Sequence, residues 1–186
     1  FSAQTAHRSV HFLVERADHE FVRPGGVGVG NPCARGLPWR LSALSHSRDR
    51  AAIERFNVRQ AGRAVIDVLE AKATTVDEVR ELAPASSIGI PHGEVFTVYV
   101  EVPISDDPAP LVKAIKAHGL RAKIRTGGVT GGAFPAAAHV VRFLSACVAH
   151  DVVFKATAGL HHPLRGEYPL TYDRDSARGT MFGFLN

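Results

Sequence analysis

Short apolar runs alternate with amphipathic segments along most of this chain, and that alternation limits the folds open to it. The runs have the length of β-strands, and the segments between them repeat their apolar residues with the helical period. Successive runs start about 24 to 33 residues apart, which fits a strand, a crossover helix and a following strand. Five such runs begin near Trp39, Ala64, Thr97, Arg121 and Val152. The pattern therefore predicts an α/β protein with a parallel sheet.

The segments between the runs carry the signals that start and stop helices. Thr75 followed by Glu78 makes a capping box, and Asp107 predicts the N-cap of the next helix. Gly119 predicts where that helix ends. The first helix is expected over residues 47–62, with Ile53 and Phe56 as its buried pair. A fourth helix starts at Pro135, and its predicted apolar stripe is Val140, Phe143, Leu144, Cys147 and Val148.

Among parallel α/β architectures, we expect a (β/α) barrel of the TIM-barrel type, with a doubly wound sheet as the alternative. Only five clear βα units are visible, with a further strand predicted in SVHFLV near residue 9, so the barrel is expected to be incomplete. Residues 1–37 form an irregular N-terminal segment in this interpretation, and residues 38–186 form the barrel-like domain. The closing MFGFLN predicts the start of an apolar helix.

Composition narrows the class of partner. The formal charge is +4, but Lys and Arg are scattered rather than clustered, which argues against nucleic acid and suits a small anion. The two cysteines, Cys33 and Cys147, lack metal-site spacing and the density of a secreted scaffold, so a cytoplasmic location is expected. No signal peptide or membrane span is predicted, and no cofactor is implied.

Charged side chains lie toward the C-terminal ends of the predicted strands, which is the edge where parallel α/β proteins bind ligands. Because side chains alternate across a strand, the polar residues of each run can be assigned to one face. Burying ions there costs several kcal/mol each unless they pair or hold a ligand. The candidate residues are Glu70 and Lys72 on the second strand, Glu101 on the third, Lys123 and Arg125 on the fourth, and Lys155 and Thr157 on the fifth.

The loops after the last two strands supply a second signal. In TGGVTGG, residues Thr126, Gly127 and Gly128 precede a predicted helix, so their backbone N–H groups are candidates for binding an anion. Gly159 and His161 follow the fifth strand. His161 is a candidate acid/base group, or a metal ligand together with Glu70 or Glu101. An ion network that only stabilises the fold is the alternative interpretation of the charged residues.

Two lysine-bearing runs, KIRTG from Lys123 and FKATAGL around Lys155, resemble class I aldolases of the deoxyribose-phosphate aldolase type. The resemblance covers roughly residues 64–160, and it aligns Glu101 in VYVEV and Asp67 in VIDVLE with the family's carboxylates. Arg125 departs from it, since the family has a small hydroxyl residue there, and alternation puts Asp67 on the face opposite Glu70. The segment FKATAGLHHP also resembles an uncharacterised bacterial family, which implies no activity.

The aldolase resemblance implies that Lys123 forms an imine with a small anionic carbonyl substrate, phosphorylated or carboxylated. Lys155 is then the second lysine, whose charge lowers the pKa of a neighbouring amine, and Glu101 or Glu70 moves protons. Lys72 and Arg125 contribute to substrate binding. Two other interpretations stay open: a metal-assisted isomerase or hydrolase, and a non-catalytic anion-binding barrel fragment whose open sheet edges pair with another copy of the chain.

Overall fold

The computed structural model describes most of the chain from Trp39 onward, together with a short earlier strand. The described residues are 11–13, 39–45, 49–60, 63–90, 96–159, 162–183 and 185. They belong to two compact units. The first comprises Phe1–Ala71 with Pro84–Val98, and the second comprises Lys72–Ala83 with Tyr99–Asn186.

Strands and helices alternate through the chain as the sequence predicts. The strands that precede and follow the helices are β2 (Trp39–Leu44), β3 (Ala64–Lys72), β4 (Thr97–Glu101), β5 (Arg121–Arg125) and β6 (Phe154–Thr157). The helices between them are α1 (Arg50–Gln60), α2 (Val76–Leu82), α3 (Ala109–Ala117) and α4 (Ala137–Ala149). Short 3-10 helices occupy Ala83–Ser87 and Gly131–Ala133.

The strand pairing confirms a parallel α/β architecture. In the first unit β2 pairs with β3 in parallel, with Trp39 opposite Ala64. In the second unit β5 pairs in parallel with both β4 and β6. The finer expectation of a TIM-type barrel stays a prediction.

Two predictions about the ends of the chain turn out differently. The strand predicted near residue 9 is present as β1 (His11–Leu13), but it pairs antiparallel with β2, so it is not another βα repeat. The predicted C-terminal helix is wrong. Met181 instead ends β8 (Arg178–Met181), which forms an antiparallel pair with β7 (Gly166–Pro169) because Leu170 and Ala177 close the turn by a backbone hydrogen bond.

The first unit contains a buried amide that fixes helix α1 to strand β3. Asn57 is 3% exposed, its Nδ2 donates to the Ile66 carbonyl at 2.8 Å, and its Oδ1 accepts from the Ile66 N–H at 2.7 Å. Ile53 is buried as predicted, whereas Phe56 is only half-buried. The second buried residue of α1 is therefore Asn57, one position after the predicted Phe56, because the Asn57 amide bonds to β3.

The helices of the second unit begin and end largely as predicted. The capping box of α2 is formed, since Thr75 Oγ1 accepts from the Glu78 N–H and the Glu78 carboxylate accepts from the Thr75 N–H. The N-cap of α3 is Pro108, and Asp107 accepts from the Ala109 N–H. Helix α3 stops before Gly119, whose φ of +66° favours glycine.

Helix α4 packs by a narrower stripe than the sequence predicts. Phe143 and Cys147 are fully buried, while Val148 is 75% exposed, so its predicted burial is wrong. Phe143 contacts Phe154 of β6 edge-to-face, with ring centroids 5.8 Å apart. The segment Gly131–Ala149 is long and apolar enough to cross a membrane by length and composition alone, a test that a core helix of a soluble protein also passes.

Candidate active site on the charged face of the second unit

Strands β4, β5 and β6 have one apolar face and one polar face, because successive side chains point to opposite sides. Val100, Ala122 and Ile124 are buried on the apolar side, and Phe154 lies against helix α4 there. We call the other side the charged face. It carries Tyr99 and Glu101 of β4, Arg121, Lys123 and Arg125 of β5, and Lys155 and Thr157 of β6.

The strand register places three of the predicted site residues side by side. Glu101 lies opposite Lys123, and Lys123 lies opposite Lys155. Neighbouring parallel strands are about 4.8 Å apart, so the three side chains leave the sheet from adjoining positions on the charged face. The prediction that both lysines and a glutamate project from the same side of adjacent strands therefore agrees with the pairing.

Glu101 is the centre of a cluster of cations. Its Oε2 lies 2.7 Å from Lys123 Nζ, and both side chains are buried, Lys123 to 2% exposure. Its Oε1 lies 3.5 Å from Arg125 Nε and 3.9 Å from Lys72 Nζ. Lys72 is 75% exposed, and Arg125 is 48% exposed. One carboxylate therefore joins a buried ammonium to two cations that reach solvent.

The cations determine the charge state of Glu101. Burial raises the pKa of Glu101, but the hydrogen bond from Lys123 and the charges of Lys123, Arg125 and Lys72 together outweigh burial and lower the pKa below its ordinary value of 4.5. Glu101 is therefore a carboxylate at neutral pH. Three positive side chains, Lys72, Lys123 and Arg125, surround this carboxylate, and such a concentration of cations suits an anionic ligand.

Lys155 is held at a different place on the charged face from the Lys123 amine. Its Nζ lies 4.3 Å from the centroid of the Tyr99 ring, so the ammonium of β6 reaches across β5 to an aromatic side chain on β4. Tyr99 in turn accepts a hydrogen bond at 3.3 Å from Arg121, its neighbour in the strand register. Tyr99 and Arg121 were not among the predicted site residues, although alternation from Glu101 and Lys123 places both on the same face.

The loops that follow β5 and β6 pack directly against one another. Thr126 is buried, and its hydroxyl donates to the Ala158 carbonyl at 2.5 Å, while its N–H donates to the Thr157 carbonyl at 2.9 Å. A Cβ on Gly127 would lie 2.8 Å from the Gly159 Cα, and a Cβ on Gly159, where φ is +76°, would lie 2.6 Å from the Thr126 carbonyl oxygen. These two glycines allow close approach of the chain to itself.

The remaining polar residues predicted at this edge have local partners. A Cβ on Gly128 would meet the Ala133 Cβ at 2.8 Å, so this glycine too packs against the protein. The Thr157 hydroxyl donates to the Ile124 carbonyl at 3.4 Å, which ties β6 to β5. The hydroxyl groups and glycines of the predicted anion loop thus fix the ends of two strands that carry Arg125 and Lys155.

Glu70 and Asp67 belong to the first unit. Glu70 is 4% exposed, and its Oε1 accepts a 2.7 Å hydrogen bond from the Ser42 hydroxyl. Asp67, also buried, forms an ion pair with Arg40. The aspartate that the aldolase resemblance aligns with a catalytic residue is thus an ion-pair partner within its own unit.

The histidine predicted at the rim, His161, lies outside the described residues. Its neighbour His162 stacks on the Tyr168 ring with centroids 3.5 Å apart. Within the described part of the chain, no group of three or more His, Cys, Asp or Glu side chains is arranged to hold a metal ion.

Comparison of the chain with protein-family models, with curated proteins and with solved structures found no match.

Proposed function

We propose that the charged face is the active site of an aldolase-like lyase that forms a lysine imine with a small anionic carbonyl compound. The observation that carries the proposal is the Glu101, Lys123 and Lys155 register, in which a buried lysine lies 2.7 Å from a carboxylate and beside a second lysine. An amine and a carboxylate in contact are the groups that imine formation needs, one as nucleophile and one to move protons.

The chemistry assigns a separate task to each part of the cluster. The Lys123 amine attacks the carbonyl carbon, and loss of one water gives the imine. Glu101 accepts the proton that Lys123 must release before it can attack.

The same cations define the substrate class. Lys72 and Arg125 contact the outer oxygen of Glu101 only at 3.9 and 3.5 Å, and both side chains reach solvent. A phosphate or carboxylate of the substrate offers them shorter, charge-assisted hydrogen bonds. We therefore propose that these two residues bind the anionic group while the carbonyl carbon approaches Lys123.

Reductive trapping tests the imine directly. Incubation of the protein with cyanoborohydride and either pyruvate or glyceraldehyde 3-phosphate should leave a secondary-amine adduct on the peptide that contains Lys123, quantified by mass spectrometry. Lys123→Met should abolish that adduct. Lys113→Met, which removes an exposed lysine of α3, is the matched control and should leave it unchanged. Adducts spread evenly over surface lysines, or no adduct with either compound, would contradict the proposal.

A second candidate is an anion-binding protein without catalysis, and the charge state of Glu101 favours it. A carboxylate whose pKa is lowered by its neighbours is a weak base, so Glu101 is poorly suited to accept a proton during imine formation. Calorimetric titration with inorganic phosphate separates the two candidates when combined with trapping. Phosphate binding without any trapped adduct would favour the binding protein.

A further inference from the structure

Tyr99 occupies the one position on β4 from which an aromatic ring reaches the second lysine of the charged face. Strand β5 lies between β4 and β6, and Tyr99 and Glu101 leave β4 on the same side. The Lys155 ammonium lies 4.3 Å from the centroid of the Tyr99 ring, within the distance of a cation–π interaction. Lys155 therefore spans β5 rather than extending directly away from the sheet.

The ring is itself held in place from β5. Arg121 is the register partner of Tyr99 and donates a 3.3 Å hydrogen bond to its hydroxyl, and the guanidinium carbon lies 5.7 Å from the ring centroid. The hydroxyl end of Tyr99 is thus tied to Arg121, while the face of the ring receives Lys155.

The other charged groups around Lys155 explain why this contact matters. From β5 the ammonium faces Arg121, Lys123 and Arg125, all positive, and from β4 it faces Tyr99 and Glu101. Glu101 is already paired at 2.7 Å with Lys123. The electron-rich ring of Tyr99 is one group that offsets repulsion by the three β5 cations.

We infer that Tyr99 is a positioning residue that holds the Lys155 ammonium against its ring, at a fixed place on the charged face. The inference rests on the proposed function for its catalytic meaning, since that function uses both lysines of the charged face. The positioning itself follows from the geometry of Tyr99, Arg121 and Lys155, and it can be measured without any substrate.

Competitive labelling of the amines tests the positioning. Trace acetic anhydride acetylates lysines at rates that depend on charge and accessibility, and the Lys155 peptide can be quantified against the Lys113 peptide by mass spectrometry. Tyr99→Leu should raise Lys155 labelling roughly two- to fivefold, the factor that loss of a cation–π contact at a partly exposed site implies. Tyr99→Phe keeps the ring face and should label like the native protein.

Two outcomes would overturn the inference: unchanged Lys155 labelling in Tyr99→Leu, or the same increase in Tyr99→Phe. Circular dichroism checks that each variant is folded, and Tyr99→Met, which also removes the ring, replaces Tyr99→Leu where that variant does not fold. Trapping with pyruvate on the same variants is a separate readout. If labelling follows the expected pattern and no variant traps pyruvate, the positioning stands and the proposed imine chemistry fails.

Discussion

The two units of this protein use buried charge in different ways. In the first unit, the buried carboxylate of Asp67 forms an ion pair with one arginine, Arg40, and the buried amide of Asn57 makes two hydrogen bonds to the backbone of Ile66. In the second unit, one carboxylate, Glu101, contacts three cations. The Asp67 pair joins a carboxylate to an arginine, whereas the Glu101 cluster brings three cations to one carboxylate and is therefore the better candidate for binding an anion.

The surroundings of Asp67 and of Glu101 differ more in the number of nearby cations than in burial. Asp67 and Glu101 are both nearly inaccessible to solvent, and both have a positively charged partner. Arg40, the partner of Asp67, is 40% exposed, whereas the Glu101 cluster brings two cations that reach solvent, Lys72 and Arg125, to the same carboxylate as the buried Lys123. The comparison therefore predicts that substitutions in the first unit affect stability alone, and that those in the Glu101 cluster divide between stability and anion binding.

Removing the carboxylate from the Glu101 cluster should have the largest effect. Glu101→Ala leaves the Lys123 ammonium buried without its 2.7 Å partner, and breaking a buried pair in this way costs about 3–5 kcal/mol. Urea unfolding followed by circular dichroism measures the loss. The control is the double variant Glu101→Leu with Lys123→Met, which removes both charges and should recover most of the stability. If the double variant were as unstable as Glu101→Ala, lost packing would explain the loss of stability better than the removal of the Glu101 carboxylate from Lys123.

Removing the buried amide from the first unit should cost less and leave the charged face intact. Asn57→Ala removes the partners of the Ile66 N–H and carbonyl groups, and leaving buried polar groups unsatisfied costs about 1–3 kcal/mol. Urea unfolding again measures the cost, and calorimetric phosphate titration measures binding at a temperature where the variant is folded. If phosphate affinity fell along with stability, the prediction that substitutions in the first unit affect stability alone would be wrong.

Acid should destabilise the second unit through Glu101. Because the pKa of Glu101 is lowered in the folded protein, its contribution to stability is complete above the unfolded value near 4.5 and is lost as the pH falls through the lower folded value. Protonation keeps the side chain in place, so the loss should be smaller than that of Glu101→Ala. Thermal unfolding between pH 6 and pH 3 checks this, with Glu101→Gln as control. A Glu101→Gln variant whose stability falls as steeply as that of the native protein would assign the acid sensitivity to other carboxylates.

Alternation along each strand was enough to predict the charged face. It grouped Lys123 with Arg125 and Lys155 with Thr157, and the strand register adds that Glu101, Lys123 and Lys155 adjoin one another. The same alternation places Tyr99 on the face of Glu101, but it did not identify Tyr99 as a contact of Lys155. Its partner Lys155 lies two strands away, and a single sequence does not reveal such a contact.

The less accurate predictions share a physical cause, which is that tertiary packing selects among local patterns. Val148 belongs to the apolar stripe predicted for α4. In the structure Phe143 and Cys147 of that stripe are buried, whereas Val148 is exposed. An asparagine in a helix is usually a surface residue. In the structure, however, the Asn57 side chain is buried because it hydrogen-bonds to the backbone of Ile66 in β3. Likewise, Gly127 and Gly159 lie in segments whose composition is typical of anion-binding loops. In the structure the two glycines pack against each other, and the sequence does not show which loops become neighbours.

The smallest effect on stability and the sharpest test of the comparison come from Lys72. Its amine is 75% exposed and 3.9 Å from Glu101, so Lys72→Met should change the free energy of unfolding by less than about 1 kcal/mol, as expected for an exposed ion pair. Phosphate affinity should fall nonetheless, because the substitution removes one cation that faces solvent beside the cluster. Lys113→Met, an exposed lysine on α3, is the matched control for general charge and should leave affinity unchanged. Equal phosphate affinity in the two variants would make the Glu101 cluster an ion network of the same kind as the Arg40 and Asp67 pair, one that stabilises the fold and binds nothing.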